Sequence, residues 1–302
     1  MSDGQCLCGK VRYRVSGSFG EVRYCHCSFC RRATGTAFSA NAKLEAAQLE
    51  ITSGRGEIRE YETSRGPRAF CSACGSPLYA RVEREPQHVR VRLGGFDGPV
   101  DARITAHVWV ASKSPWYEIA DALPRHREAM GSPLAGGDPP PQGSGDPQCR
   151  ADAGLSAHCV CGGVEIAVRG KVGPLVYCHC SRCRKSSGSA FSANVNVRRR
   201  YWQLLAGEDL LREVESSAAV WRAFCSRCGS PVYSRWDSDP EMLRLRLGLV
   251  NEDPGRRALA HFWVGSKAPW FDIAGPLPQF ARGPADHEAE LPGGLGGKQP
   301  TA

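Results

Sequence analysis

The sequence lacks any run of about 20 apolar residues, the length that a membrane-spanning helix needs. Its first ten residues, MSDGQCLCGK, also lack the apolar core of a secretory signal. These two absences predict a cytoplasmic chain with no membrane partner. Because the cytoplasm is reducing, the 15 cysteines are predicted to be metal ligands or catalytic groups rather than disulfides.

Long clusters of one charge are also scarce. The net charge is +8, but arginine is spread along the chain and the only compact basic run is at 198–200. No basic strand with interleaved aromatic residues is evident, so nucleic-acid binding is not favoured. The hydrophobic content of 41% and the charged content of 23% are typical of a globular protein.

Helical periodicity is weak throughout. Segments such as VRYRVSG, HVRVRLGGF and LRLRLGLV instead alternate apolar and polar residues, and Gly and Pro separate them. The pattern predicts a mainly β fold made of small, zinc-held, twisted sheets. The expected helical pieces are short, one after Cys30 and Cys183 and one around Trp116 and Trp270.

Internal repetition is the strongest signal in the sequence. YCHCSFCRRATGTAFSAN at Tyr24 returns as YCHCSRCRKSSGSAFSAN at Tyr177, and AFCSACGSPLYAR at Ala69 returns as AFCSRCGSPVYSR at Ala223. The order is kept and the offset changes only from 153 to 154, so the chain is a tandem duplication. The predicted division is a first domain at 1–127, a Pro/Gly-rich linker at 128–154, a second domain at 155–282 and a disordered tail at 283–302.

Each copy holds seven cysteines, and four of them form two separated pairs. Paired thiols from two distant segments usually close a four-cysteine zinc shell, and a Gly follows each pair where a tight turn needs it. A structural zinc is therefore predicted in each copy, with disulfides or free core thiols as the alternative. The predicted ligands are Cys6, Cys8, Cys71 and Cys74 in copy 1, and Cys159, Cys161, Cys225 and Cys228 in copy 2.

Three cysteines remain in each copy: Cys25, Cys27 and Cys30, and Cys178, Cys180 and Cys183. Three thiolates leave the fourth corner of a tetrahedral zinc open, as catalytic sites require. Such a zinc activates water poorly because it carries negative charge, but it would hold a further thiol as thiolate. The predicted chemistry is a thiol substrate attacking an electrophile. Alternatively, a histidine such as His26 or His107 closes a second structural site.

Four motifs together resemble the family of glutathione-dependent formaldehyde-activating enzymes, which includes the centromere protein V relatives. They are C-x-C-G, Y-C-H-C-S-x-C-R-x-x-x-G-x-x-F, F-C-x-x-C-G-S-P and H-x-W-V-x-S-K-x-P-W, and they cover about 1–125 and 155–281. The resemblance implies an Mss4-like (β-tent) fold with two Zn²⁺ ions per domain, four per chain. It assigns the four-cysteine sets to structural zinc and the three-cysteine sets to catalytic zinc.

The same resemblance implies a reaction. The family's named reaction joins glutathione and formaldehyde into S-hydroxymethylglutathione, which is a carbon–sulfur lyase reaction run in reverse. The implied partners are a small glutathione-like thiol and an aldehyde. The sequence does not specify which thiol and aldehyde are used, whether both copies are active, or the oligomeric state.

Several other repeated residues are candidates for supporting roles, each with a structural alternative. Basic residues after the triplet could clamp carboxylates of the thiol or be solvated, and two histidines could act as acid or base or be structural. Two lysines could pair with a substrate anion, and four tryptophans are expected in the core. In that order they are Arg31, Arg32, Arg184 and Lys185; His107 and His261; Lys113 and Lys267; Trp109, Trp116, Trp263 and Trp270.

A non-catalytic, zinc-held binding module is the competing hypothesis. An enzyme needs an exchangeable ligand beside the three-cysteine set, whereas a module tolerates a closed shell. Methionine-sulfoxide reduction is disfavoured, because it needs a reactive cysteine outside the metal shells and only Cys149, in the predicted linker, remains. Cys149 is expected to be a passive free thiol.

Overall fold

A computed structural model describes residues 1–136 and 154–284. Copy 1 has ten strands and one α-helix among these residues. In chain order they are β1 Ser2–Gln5, β2 Arg12–Val15, β3 Val22–Cys25, α1 Ser28–Thr34, β4 Ser39–Glu45, β5 Leu49–Ser53, β6 Ile58–Tyr61, β7 Arg68–Cys71, β8 Pro77–Arg81, β9 His88–Arg92 and β10 Ile104–Val108.

Copy 2 repeats this order and adds a short last strand within the described residues. Its elements are β11 Leu155–His158, β12 Glu165–Val168, β13 Leu175–Cys178, α2 Ser181–Ser187, β14 Ser192–Arg198, β15 Trp202–Ala206, β16 Leu211–Ser217, β17 Val220–Cys225, β18 Pro231–Trp236, β19 Asp239–Arg246, β20 Ala258–Phe262 and β21 Gln279–Phe280.

Each copy forms a small sheet and a large sheet. The small sheets have the orders β1-β2-β5 and β11-β12-β15, and the large ones β10-β3-β4-β9-β8-β7-β6 and β16-β17-β18-β19-β14-β13-β20-β21. Strand β3 pairs antiparallel with β4 and parallel with β10. The prediction of a mainly β chain with two sheet-rich repeats is confirmed. Within the described residues, no helix has the length and hydropathy that crossing a bilayer requires.

The helical predictions are only partly right. Helix α1 begins at Ser28, before Cys30, and ends at Thr34, where Gly35 adopts the left-handed conformation (φ 66°). The segment around Trp116 is a turn rather than a helix. The carbonyl of Tyr117 in this turn accepts a hydrogen bond from the side chain of Lys113, through Nζ. The same contact joins Lys267 to Phe271 in copy 2.

The two copies pack against each other in a reciprocal way. Helix α1 contacts the turn Leu247–Leu249, and helix α2 contacts the equivalent turn Leu93–Gly95. The backbone N–H of Gly94 donates to the carbonyl of Gly188 at 3.3 Å, and that of Gly248 to Gly35 at 3.2 Å.

Aromatic rings extend this interface into one core. Phe38 meets Phe191 edge-on with centroids 5.4 Å apart, and Tyr117 contacts Tyr177 at 6.1 Å. One cluster of buried apolar residues therefore spans both copies.

The structure describes only part of the predicted linker. Among the residues of 128–136, Glu128 accepts a hydrogen bond from the backbone of Trp109 (2.7 Å), and Pro133 accepts one from Arg127 (3.0 Å). This stretch thus packs on copy 1. Cys149 and the tail from 285 onward lie outside the described residues.

Candidate metal centres

The four-cysteine sets each converge on one point. All four sulfur atoms of each set lie within 4.8 Å of one another. In copy 1, Cys8 Sγ is 3.5 Å from Cys6 Sγ and 3.9 Å from Cys71 Sγ. A tetrahedral zinc with Zn–S bonds of about 2.3 Å would separate its sulfurs by roughly 3.8 Å. The donor set therefore fits a tetrahedral, thiolate-binding metal ion.

Copy 2 has the same arrangement. Cys161 Sγ lies 3.3 Å from Cys159 Sγ and 3.7 Å from Cys225 Sγ. A disulfide would need about 2.05 Å, and all described cysteines are free thiols. The disulfide alternative is therefore not realised among the described residues.

Short backbone contacts hold these sulfurs in place. In copy 1 the backbone N–H of Val11 donates to Cys6 Sγ at 3.3 Å. The N–H of Leu7 donates to Ser76 Oγ at 2.9 Å, and that hydroxyl lies 3.3 Å from Cys74 Sγ. Two distant segments are thus pinned together, as expected around a structural metal site.

Crowding of the thiols perturbs their acidity. Hydrogen bonds from Cys71 and Cys74 lower the pKa of Cys6 to about 7. Hydrogen bonds from Cys225 and Cys228 lower the pKa of Cys159 to about 4. Hydrogen bonds within the same sets raise the pKa of Cys71 and of Cys225. The crowded thiols therefore do not all ionise alone, whereas a metal ion binds each of them as thiolate.

The three-cysteine sets also converge. Their sulfurs lie within 4.8 Å of one another, and no histidine or carboxylate of the described residues joins either group. Cys25 Sγ and Cys27 Sγ are 3.6 Å apart. Cys27 is the N-cap of helix α1, and its sulfur accepts the backbone N–H of Cys30 at 3.4 Å. The strand end and the first helical turn thereby present three sulfurs to one point.

Arginine side chains accompany these sulfurs. Arg68 Nη2 lies 3.8 Å from Cys30 Sγ, and in copy 2 Arg222 Nη2 lies 3.6 Å from Cys183 Sγ. The pKa of Cys30 lies well below its usual value, because Cys30 accepts hydrogen bonds from Cys25 and Cys27 and because Arg68 adds positive charge. Neither arginine was predicted from the sequence.

A cavity of about 480 Å³ opens beside the set in copy 1. Seven arginines and a single carboxylate, Glu83, line it together with the three cysteines and Trp109. Trp109, expected in the core, is therefore a wall of this cavity, and its backbone is left-handed (φ 60°), which is uncommon for a bulky residue. The arginines are Arg23, Arg65, Arg68, Arg81, Arg84, Arg90 and Arg92.

The basic residues that the sequence favoured as a clamp lie elsewhere. Arg31 donates to Ser114 Oγ at 2.6 Å. Arg32 reaches across to copy 2 and donates to Asn251 Oδ1 at 2.8 Å. In copy 2, Arg184 is buried and Lys185 pairs with Asp97 of copy 1. At least Arg32 and Lys185 thus join the copies.

Behind the first set, three side chains form a hydrogen-bonded chain that runs from the buried His26 and His107 to the partly exposed Asp121. His26 Nε2 lies 2.8 Å from His107 Nδ1, and His107 Nε2 lies 3.0 Å from both Asp121 oxygens. Although burial acts to raise it, the hydrogen bond from His107 lowers the pKa of Asp121. The carboxylate accepts the Nε2–H of His107, so His107 Nδ1 accepts the Nε2–H of His26. This leaves His26 Nδ1 without a proton.

Copy 2 keeps the histidine pair but not the carboxylate. His179 Nε2 lies 2.8 Å from His261 Nδ1, and Gly275 stands where copy 1 has Asp121. Burial lowers the pKa of His179 to about 3 and that of His261 to about 4. Both rings are therefore neutral at pH 7, and His261 faces a small cavity of about 140 Å³ between the copies.

Two kinds of residue at these centres were not predicted, although the sequence carries a signal for each. Arg68 stands three positions before Cys71 in RAFC, and Arg222 stands at the same distance from Cys225. Asp121 is a position where the otherwise similar repeats EIADALP and DIAGPLP differ. A buried position that differs between repeats is a candidate for a functional difference.

Both repeats match a known protein family. The sequence model described as "Glutathione-dependent formaldehyde-activating enzyme" covers residues 1–112 and again 154–266.

The chain belongs to this family.

Named relatives in the family match less than half of the chain. A protein of Halomonas elongata, named "Putative glutathione-dependent formaldehyde-activating enzyme", is 31% identical over 126 residues, which cover 39% of this chain and 80% of that protein. A Colletotrichum graminicola protein of the same name is 34% identical over 91 residues, 30% of this chain. The chain spans only 47% of that fungal protein.

One solved structure is also similar to part of the chain. A crystal structure of a Rhodobacter sphaeroides protein has 25% sequence identity and a TM-score of 0.29. The match covers 33% of this chain and 91% of that one.

Proposed function

We propose that this protein is a zinc-dependent carbon–sulfur lyase that acts on the adduct of a thiol and an aldehyde. In the synthetic direction the sulfur of a glutathione-like thiol attacks the carbonyl carbon of formaldehyde. A carbon–sulfur bond forms, the carbonyl π bond breaks, and the oxygen takes up a proton to give the hydroxymethyl thioether. The reverse reaction releases the thiol and the aldehyde.

The observation that carries this proposal is the three-thiol set on the wall of a cavity large enough for a small thiol. No histidine or carboxylate of the described residues adds a fourth donor to the set. This favours an exchangeable position on a bound metal ion. A zinc ion bound there would supply a site that keeps a further thiol ionised at neutral pH. A binding module would need neither an open metal position nor the cavity.

The chain's own residues have separate tasks in this scheme. Arg68 places positive charge beside Cys30 Sγ, so it offsets the negative charge that gathers when a further thiolate approaches. Trp109 and the loop that carries Arg65 wall the cavity on its open side. The four-cysteine set holds the end of strand β7, and Arg68 is the first residue of that strand. The structural site thereby positions the arginine.

The histidine chain has a positioning role. His26 lies between two of the cysteines, and the chain through His107 to Asp121 fixes its ring and its tautomer. Burial holds the pKa of His26 well below its usual value. A neutral ring at this place adds no positive charge that would compete with the metal ion for the sulfurs.

The test combines metal content with turnover. Full-length wild type should contain four zinc ions per chain, and the Cys27→Ser, Cys180→Ser double variant should keep two. Wild type should consume formaldehyde with glutathione, and the double variant should lose at least about 99% of that activity, as expected when an activating metal is removed. Cys149→Ser is the matched control for cysteine loss and should retain both metal and activity. Four zincs with no turnover of any aldehyde–thiol pair would instead support the binding module.

A further inference from the structure

The two copies differ most in the charge around their three-cysteine sets. In copy 1, the loop between β6 and β7 and the loop between β8 and β9 contribute Arg65 and Arg84 to the cavity. The corresponding segment at 215–221, ESSAAVW, carries no basic residue, and Ser238 replaces Arg84. Val176 replaces a third cavity arginine, Arg23.

Two of the arginines that copy 2 keeps are already engaged, whereas Arg182, which replaces Phe29 within the three-cysteine motif, is exposed. The ring of Trp236, which replaces Val82, lies 3.4 Å from the Arg244 guanidinium. Arg235, the counterpart of Arg81, forms two hydrogen bonds to Glu213 at 2.9 and 2.7 Å and one to Asp237 at 2.7 Å. The segment at 236–241, WDSDPE, has three carboxylates and no arginine, where VEREPQ of copy 1 has two carboxylates and one arginine. Copy 2 thus carries fewer exposed arginines and one more carboxylate at this place than copy 1.

Copy 1, in contrast, keeps several guanidinium nitrogens without protein acceptors. Arg68 Nε, Arg90 Nη1 and Arg92 Nε are buried and have no hydrogen-bond partner among the described residues. Of their counterparts in copy 2, only Arg246 Nε is in the same state. These three nitrogens have almost no accessible surface, so an anion in the cavity would meet the exposed guanidinium groups of the lining rather than these atoms.

Two further arginines stand at the mouth of this cavity. Arg84 is exposed and forms no ion pair or hydrogen bond within the described residues. Arg65 is exposed and is held over Trp109 (4.4 Å) by cation–π contact. Guanidinium groups bind carboxylates in a bidentate, directional way, and an arginine-lined cleft also raises the local concentration of anions. Glu83 is the only carboxylate on the lining.

We propose that the two copies divide the substrates between them. Copy 1 takes thiols that bear two carboxylates, which the exposed guanidinium groups of Arg65 and Arg84 hold while the thiol meets the three cysteines. Copy 2 takes small uncharged thiols. This division rests on the proposed function, but the anion site in copy 1 does not depend on turnover.

The first experiment measures binding without chemistry. The zinc-loaded full-length chain is titrated calorimetrically with S-methylglutathione, which carries both carboxylates but no thiol. We expect one molecule per chain, at least tenfold weaker binding in Arg65→Ala and in Arg84→Ser, and unchanged binding in Cys180→Ser. Arg55→Ser removes an equally exposed arginine outside the cavity and is the matched control. Two molecules per chain, absence of binding, or binding that Arg65→Ala and Arg84→Ser leave unchanged overturns the proposal.

The second experiment separates the copies by turnover. In Cys180→Ser only copy 1 is intact, and in Cys27→Ser only copy 2 is intact. With formaldehyde as the aldehyde, the ratio of kcat/KM for glutathione to that for 2-mercaptoethanol should be at least tenfold higher in Cys180→Ser, and 0.5 M salt should reduce the difference. Equal ratios overturn the division and leave the proposed function standing. One arginine-dependent molecule of S-methylglutathione per chain without turnover of any thiol refutes the function and supports the anion site.

Discussion

At the scale of single residues, the first copy is distinguished by one carboxylate that accepts a hydrogen bond from a buried histidine. Asp121 completes a hydrogen-bonded chain from His26 through His107, whereas Gly275 ends the equivalent chain at His261. Because a carboxylate only accepts hydrogen bonds, Asp121 specifies which nitrogen of each ring carries the proton. Copy 2 has no such constraint at Gly275.

Replacing Asp121 tests this assignment. In Asp121→Asn we expect the ¹⁵N signals of His107 to change from a single Nε2–H tautomer to a mixture, because an amide can donate as well as accept. The signals of His261 should stay unchanged and serve as the internal control. Unchanged His107 signals in the variant would show that the carboxylate does not set the tautomer.

The same substitution has a defined pH dependence. The pKa of Asp121 is lowered in the folded protein, so its hydrogen bond stabilises the fold above the ordinary carboxyl pKa of 3.8. That contribution is lost as the pH falls through the lower folded value. The variant should therefore be less stable than wild type by on the order of 1 kcal/mol at pH 7, and urea unfolding should show the difference shrinking as the pH falls below 3.8 and Asp121 becomes protonated. A difference that grows on acidification contradicts the assignment.

At the scale of elements, the sequence predicted the strands better than the contacts between them. Period-two alternation and Gly or Pro turns give strands such as β2 and β9, and the structure has them. The helix expected around Trp116 is wrong, since Lys113 rather than a helical N–H satisfies the carbonyl of Tyr117. Local patterns do not report which side chain will reach a carbonyl.

The packing of α1 and α2 on opposite turns was also beyond the sequence. The required residues, Gly94 and Gly248, look like ordinary turn glycines in the repeats RLGGF and RLGLV. A Cβ on Gly94 would lie 2.4 Å from the Ser189 nitrogen, and one on Gly248 would lie 2.3 Å from the Arg31 oxygen. These glycines are needed for close approach of the other copy, which only the fold reveals.

The glycine requirement gives a stability prediction. Gly94→Ala should lower the free energy of unfolding by about 1–3 kcal/mol, because the atoms it meets are backbone atoms that cannot easily move. Gly98→Ala is the control, since a Cβ there meets nothing within 4 Å. Both are measured by urea unfolding of the zinc-loaded chain. Equal stability of the two variants would argue against tight packing of the copies.

At the scale of the whole molecule, duplication has joined two similar units, each with a four-cysteine and a three-cysteine set, through one core. The sequence was sufficient to group the cysteines, because each pair or triplet is local and is repeated at a fixed offset. It could not predict the arginine-lined cavity, which draws Arg23, Arg68 and Arg90 from three different strands. Only the sheet order brings those strands beside helix α1.

The proposed chemistry requires each three-cysteine set to leave one metal position for a substrate thiol. The absorption of the cobalt-substituted full-length chain tests this requirement, because sulfur-to-cobalt charge-transfer bands report the number of bound thiolates. Addition of excess glutathione should strengthen these bands by one further thiolate per chain, because copy 1 is the copy proposed to accept glutathione. The Cys27→Ser, Cys180→Ser variant should not respond. A wild-type spectrum that glutathione leaves unchanged at four cobalt ions per chain would refute the open metal position.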